Sequence, residues 1–251
     1  GHHLAWADRR RGIHREAGQA ATEPPAGRVA GARVVVDKAI VDAGVGVAKT
    51  IQDLAVIRDP GCAVALCQRQ PDRNVLEWLE RLDSDRLPKA RVILPPDRIS
   101  EALEQICDIS DTPDCEERNR LIDDVTKLAK VFADLMKTAH LRLRFDVVTT
   151  NSCKKFHIDR ITARLLCTYR GTGTQYGFSV DGAEPDHILT VPTGSPIVLR
   201  GSLWPETPKS GILHRSPPIE GTGEYRSILV LDPIFDLEKE MYWAAVEATQ
   251  A

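Results

Sequence analysis

Lys155-Phe156-His157-Ile158-Asp159, followed closely by Ala163-Arg164-Leu165-Leu166-Cys167-Thr168-Tyr169, is the stretch whose reading decides the fold. Its first part sets an imidazole and a carboxylate two residues apart, and along an extended strand side chains at i and i+2 leave from the same face. Its second part, within 161–169, is apolar and β-prone enough to read as a strand. Further short strands are expected at 142–150, 187–191, 196–201, 211–214 and 225–231, separated by Gly, Pro and Asp. Closely spaced strands with turn signals point to a sandwich or small barrel.

Before His140 the texture is helical. Residues 72–82 carry Val75, Leu76, Trp78, Leu79 and Leu82 at helical spacing, 100–106 reads as a short amphipathic helix, and 116–139 is the clearest helix of the chain. A short apolar run at 91–94 reads as a strand ended by Pro95-Pro96. The expected class is therefore α+β, with three parts: a loose, Arg-, Gly- and Pro-rich arm at 1–31, a mainly helical part at 32–140, and a β-barrel at 141–251 packed on those helices.

Composition narrows the partners. The 251 residues include 42% hydrophobic ones, enough for a core, and 33 basic against 36 acidic side chains give a net charge of only -3. That balance argues against nucleic acid as a partner. No run approaches the roughly 18 apolar residues of a membrane span, and the N-terminus lacks the order of a signal peptide. A cytoplasmic protein without membrane association is expected. The six cysteines form no Cys-x-x-Cys pair and are read as reduced thiols.

His157 and Asp159 gain meaning from residues further down the chain. Gly211-Ile212-Leu213-His214 ends an expected strand with a second histidine; Pro217-Pro218 and Gly221-Thr222-Gly223 then supply turn residues before Tyr225. A hairpin-like return would bring Arg226 beside His214 on a neighbouring strand. Two imidazoles and one carboxylate leave half an octahedron open, which suits ferrous iron binding a co-substrate and dioxygen together. A structural zinc would more often be closed by four protein ligands. Arg226 adds a forked cation of the kind that grips a carboxylate.

Plainer readings stand beside these. His157 can be a strand histidine bonded to a nearby carboxylate, and Arg226 a surface partner of Glu224 or Asp232. Of Thr168 and Tyr169, alternation lets only one face the site. The polar run Gly171 to Tyr176 is expected to be a loop, either a lid with Gln175 as its substrate contact or a solvent-facing turn. Arg164 is a candidate contact for an acidic substrate or a solvated side chain, and Cys153 and Cys167 near the metal would favour zinc.

The order His-x-Asp, a long gap, His, then Arg resembles the Fe(II)/2-oxoglutarate-dependent dioxygenase superfamily, whose fold is the double-stranded β-helix, a jelly-roll or cupin-like barrel. Val191 to Leu199 resembles the segment in which such enzymes turn into the strand before the second histidine, and Leu213-His214-Arg215-Ser216-Pro217-Pro218 resembles the iron-binding strand end. More narrowly, Lys155 to Asp159 with Arg164 to Gln175 is similar to a bacterial family known as domain-of-unknown-function family 1826, over Val56 to the C-terminus.

The superfamily resemblance implies that His157, Asp159 and His214 ligate Fe(II) and that Arg226 binds the distal carboxylate of 2-oxoglutarate, with Thr168, Tyr169 and Ser227 as further co-substrate candidates. The superfamily often carries Ser two positions after the Arg; here Ser227 is adjacent and Ile228 takes the second place. The implied activity is oxidation of a small-molecule or amino-acid-like substrate, with Gln175 and Arg164 as substrate contacts. The rival reading keeps the barrel and makes it a cupin-like zinc-binding carrier, sensor or hydrolase. The sequence leaves the oligomeric state open.

Overall fold

A computed structural model describes residues 44–151, 153–206 and 209–242, all within the unit Val36–Ala251. The expected N-terminal arm lies outside the described residues. Short β-branched and apolar runs form ten strands among them: β1 (Val45–Ala48), β2 (Val64–Cys67), β3 (Ala90–Leu94), β4 (His140–Val148), β5 (Ala163–Arg170), β6 (Gln175–Phe178), β7 (Leu189–Thr190), β8 (Pro196–Arg200), β9 (Ile212–Arg215) and β10 (Arg226–Ile234). Three α-helices accompany them: α1 (Arg73–Arg81), α2 (Ile99–Ile109) and α3 (Glu116–Met136).

The strands make a seven-stranded sheet in the order β1-β2-β8-β5-β10-β4-β3 and a three-stranded sheet β7-β6-β9. All pairs are antiparallel except β1 with β2. The molecule is thus a mixed α+β structure with a sheet-rich core. Three strands of the larger sheet come from the part expected to be mainly helical. Only β3 has a counterpart in the sequence reading; β1 and β2 are four residues each, too short for their periodicity to declare them.

Two further expectations change. The run Gly171 to Tyr176 is not wholly a loop, because Gln175 and Tyr176 open β6, where pairing with Arg215 and His214 supplies the order that composition did not suggest. Helix α3 stops at Met136, since Lys137 takes a left-handed φ of 52° and its N–H turns back to Ala133 and Asp134.

Alternation along the strands divides the larger sheet into two unlike faces. Leu141, Leu143 and Phe145 of β4, Leu165, Cys167 and Tyr169 of β5, and Leu229 and Leu231 of β10 join Leu121, Val125, Leu128 and Phe132 of α3 in one buried cluster. Each such fully buried large side chain stabilises by about 1.5–3 kcal/mol relative to exposure. On the other face Leu166, Ile228 and Val230 pack with Tyr176 and Ile212 of the smaller sheet in a second cluster. The candidate site lies on this second side. No helix among the described residues is long and apolar enough to cross a membrane.

Candidate metal centre

The segment between β4 and β5 carries the first two candidate ligands. His157 is not in a regular strand; it makes a single antiparallel bridge with His214, each backbone N–H donating to the other's carbonyl at 3.0 Å. This bridge fixes the distance between the two chain segments and sets the imidazoles 4.6 Å apart, centroid to centroid, tilted by 46°. The carboxylate of Asp159 lies between them, Oδ1 at 3.4 Å from His157 Nε2 and Oδ2 at 3.2 Å from His214 Nε2. One ligand atom from each residue falls within 4.8 Å of the others, and no other such His, Cys, Asp or Glu group occurs among the described residues.

The surroundings prepare these groups for a cation. His157 Nδ1 sits 2.9 Å from the Lys155 carbonyl; a carbonyl can only accept, so Nδ1 donates there and Nε2 is the ring nitrogen that faces the cluster. Burial raises the Asp159 pKa, but the hydrogen bond with His214 and the positive Arg164 outweigh it and hold the carboxyl well below the usual range. Arg164 Nη1 donates to Asp159 Oδ2 at 2.7 Å, while its Nε and Nη2 grip Asp232 at 2.6 and 2.9 Å. Its guanidinium is thus engaged by two carboxylates and braces that of Asp159.

Two imidazoles and an ionised carboxylate converging on one point fit a divalent metal held by three protein ligands with coordination positions left over. Sulfur plays no part in the set. Cys153 lines the adjoining cavity outside the three-residue cluster, and Cys167 lies on the helix side, its thiol pushed up to about 12 by burial.

That cavity, of ≈ 130 Å³, is lined by His157, His214 and Arg226 together with Thr174, Leu166 and Ile228. Arg226 is 2% exposed and has no carboxylate hydrogen-bonded to it among the described residues. Its Nε donates to the Thr172 carbonyl at 2.8 Å, and its Nη2 to the hydroxyls of Thr168 at 3.1 Å and Thr174 at 2.7 Å. Burial depresses its pKa to about 10 against the opposing pull of Glu224. The expected hairpin between β9 and β10 does not form. The two strands lie in different sheets, so His214 and Arg226 share the lining of one cavity instead of a strand pair.

The remaining candidates separate by parity. Thr168 faces the cavity side and holds Arg226. Tyr169 points the other way, donating to Asp124 of α3 at 2.5 Å and stacking on Phe145 at 5.9 Å. Ser227, adjacent to Arg226, is fully buried and its hydroxyl has no partner among the described residues. Gln175 accepts from Arg215 Nε at 2.9 Å, and that guanidinium lies over the Phe156 ring.

Sequence reasoning missed Thr172, Thr174 and Asp232. The signal was present in the alternation Gly171-Thr172-Gly173-Thr174: a Cβ at Gly173 would lie 1.8 Å from the Val191 carbonyl oxygen, so glycine alone lets both threonines approach Arg226. A roomier cavity of ≈ 290 Å³ on the helix side is bordered by Arg69, Asp124 and Tyr169, whose polar atoms satisfy one another.

Comparisons with known proteins place this geometry in context. No curated protein matches the chain. Among solved structures, the dioxygenase for auxin oxidation 1 from Arabidopsis thaliana, in a 2-oxoglutarate complex, is similar at 10% identity and TM-score 0.43, covering 66% of this chain and 77% of that one. The rice dioxygenase for auxin oxidation gives 13% and 0.44 over 77% and 84%. A Pseudomonas putida prolyl-4-hydroxylase gives 16% and 0.32 over 65% and 96%. A family model covers residues 48–232, every candidate ligand included, and the chain accordingly belongs to the family described as Protein of unknown function (DUF1826).

Proposed function

We propose that this chain is an Fe(II)/2-oxoglutarate-dependent oxygenase of the double-stranded β-helix type, acting on a small-molecule or amino-acid-like substrate. The observation that carries the reading is the shared cavity: His157 and His214, which cluster with Asp159, line it together with Arg226, a buried arginine with no carboxylate hydrogen-bonded to it among the described residues. His157, Asp159 and His214 would hold the metal. Bound there, ferrous iron would supply the redox chemistry by which dioxygen and 2-oxoglutarate oxidise an unactivated C–H bond.

The protein's own residues do the rest. Arg226 receives the distal carboxylate of 2-oxoglutarate, and Thr168 and Thr174 orient its guanidinium. Arg164 holds Asp159 ionised and fixed. Leu166, Ile228 and Val230 supply an apolar part of the cavity wall, which strengthens the charge pairings beside it. Residues 141–251 carry the chemistry in this reading, with 32–140 as buttress and contributor of outer strands. The open three-ligand set speaks against a structural zinc closed by four protein ligands, and the buried Arg226 on the same cavity favours a carboxylated co-substrate over the metal-carrier reading.

Anaerobic titration with Fe(II) and 2-oxoglutarate should give a weak visible charge-transfer band. The same titration of His157→Ala should give no band and no metal binding, with the fold retained by circular dichroism. Full iron affinity in that variant would refute the ligand assignment; metal binding without the band in the wild type would leave the zinc-type reading in its place.

A further inference from the structure

Arg144, in the middle of β4, is the least satisfied cation around the metal-side cavity. It lines that cavity with His157 and Arg226. Its Nε is buried and has no hydrogen-bond partner among the described residues. Its Nη1 stands 3.9 Å from Asp146 and its Nη2 4.0 Å from Asp232, both beyond hydrogen-bond reach. Asp232 is in any case occupied, since Arg164 grips both of its oxygens.

The other cations of the cavity have assigned partners. Arg164 serves Asp159 and Asp232, Arg215 donates to Gln175 and Glu184, and Arg226 is held by threonines. The strand pairing makes matters worse for Arg144, because Arg91 sits directly opposite it on β3. Like charges facing each other across a strand pair are destabilising, and so is a buried donor left without an acceptor. Burial, then Arg164, depress its ionisation, with Asp232 opposing them. Local rules broken together at one position of a cavity wall are expected where a ligand completes the arrangement.

We propose that Arg144 anchors an anionic group of the substrate, a carboxylate or a phosphate, in the cavity beside the metal centre. The inference rests on the oxygenase reading, in which the co-substrate's carboxylate takes Arg226, so the anion at Arg144 is a second one. A guanidinium presents Nε–H and an Nη–H side by side in one plane, matching two oxygens of one acid group. A neutral substrate would leave that Nε–H unmet, so the site discriminates against it.

The test monitors the arginine Nε–H resonances of the isotope-labelled chain by nuclear magnetic resonance. The protein is loaded with zinc as a diamagnetic stand-in and saturated with 2-oxoglutarate; a parallel arm is metal-free. The Arg144 resonance is the one missing from Arg144→Gln. It should shift saturably with acetate or with inorganic phosphate and not with sodium chloride of equal ionic strength. A response to acetate assigns a carboxylated substrate, a response to phosphate a phosphorylated one.

Calorimetric affinity for the responding anion should fall more than about tenfold in Arg144→Gln, while 2-oxoglutarate binding stays at the wild-type level. A resonance indifferent to both anions, or equal anion affinity in Arg144→Gln, would overturn the proposal. Failure of the wild type to bind 2-oxoglutarate would instead remove the oxygenase reading, and the metal-free arm would still decide whether Arg144 captures anions.

Discussion

The two faces of the seven-stranded sheet are built from the same strands and do opposite things. On the helix side, residues such as Leu165, Leu229, Leu143 and Phe145 close an apolar cluster against α3. On the cavity side, at the opposite parity of the same strands, stand Arg164, Arg226, Asp232 and Arg144, of which Arg226 and Asp232 are 2% exposed. Burying such groups costs several kcal/mol unless each finds a partner. The difference teaches that the larger apolar cluster lies on one strand parity, while the other combines a smaller one around Leu166, Ile228 and Val230 with buried charges.

The sharpest way to break this comparison is to damage the helix side and look for an effect across the sheet. Phe132→Ala, at a fully buried position of α3, should destabilise by about 3–5 kcal/mol in urea denaturation. Its Fe(II) affinity, measured below the unfolding transition, should stay at the wild-type level. A parallel loss of iron affinity would show that the two faces are not separable.

The converse change should leave stability less affected and binding strongly so. Arg226→Ala is expected to retain Fe(II) and to weaken 2-oxoglutarate by about 2 kcal/mol or more, roughly thirtyfold, read from the concentration needed to develop the charge-transfer band. An unchanged requirement would mean that the co-substrate's carboxylate is held elsewhere.

The smallest effects come from two neighbours on β5. Tyr169→Phe deletes the hydrogen bond to Asp124 and should cost about 1 kcal/mol of stability with no change in 2-oxoglutarate binding. Thr168→Val should do the reverse, weakening 2-oxoglutarate severalfold through a loosened Arg226 at similar stability. Exchanged outcomes would invert the parity assigned to this strand.

Much of this arrangement was legible in the sequence. The strands around Leu143, Leu165, Val198 and Leu229 announce themselves by β-prone composition and turn residues, and α3 by its stripe. His157, Asp159 and His214 were readable as a set because histidines are few, 7 in the chain, and a His-x-Asp with a later strand-end His has a narrow chemistry. Partner identity was not readable: nothing local says that Tyr169 bonds Asp124 while Thr168 holds Arg226, because alternation gives two faces without saying which is which. Nor does spacing reveal that β9 and β10 enter different sheets. The role of Arg164 depends on Asp232, far along the chain, and only the pairing of β5 with β10 brings them together.

That pairing has a consequence for how the site can fail. Asp232 reaches Arg164 because Leu231 lies opposite Leu165, and a slip of β10 by a single residue would carry Asp232 to the helix side. Arg164 would then lose its second anchor and Asp159 its support. On the proposed function the candidate metal centre would therefore act as a proofreading mark for the hydrogen-bonded ladder, a misaligned sheet losing its ion before it lost its shape.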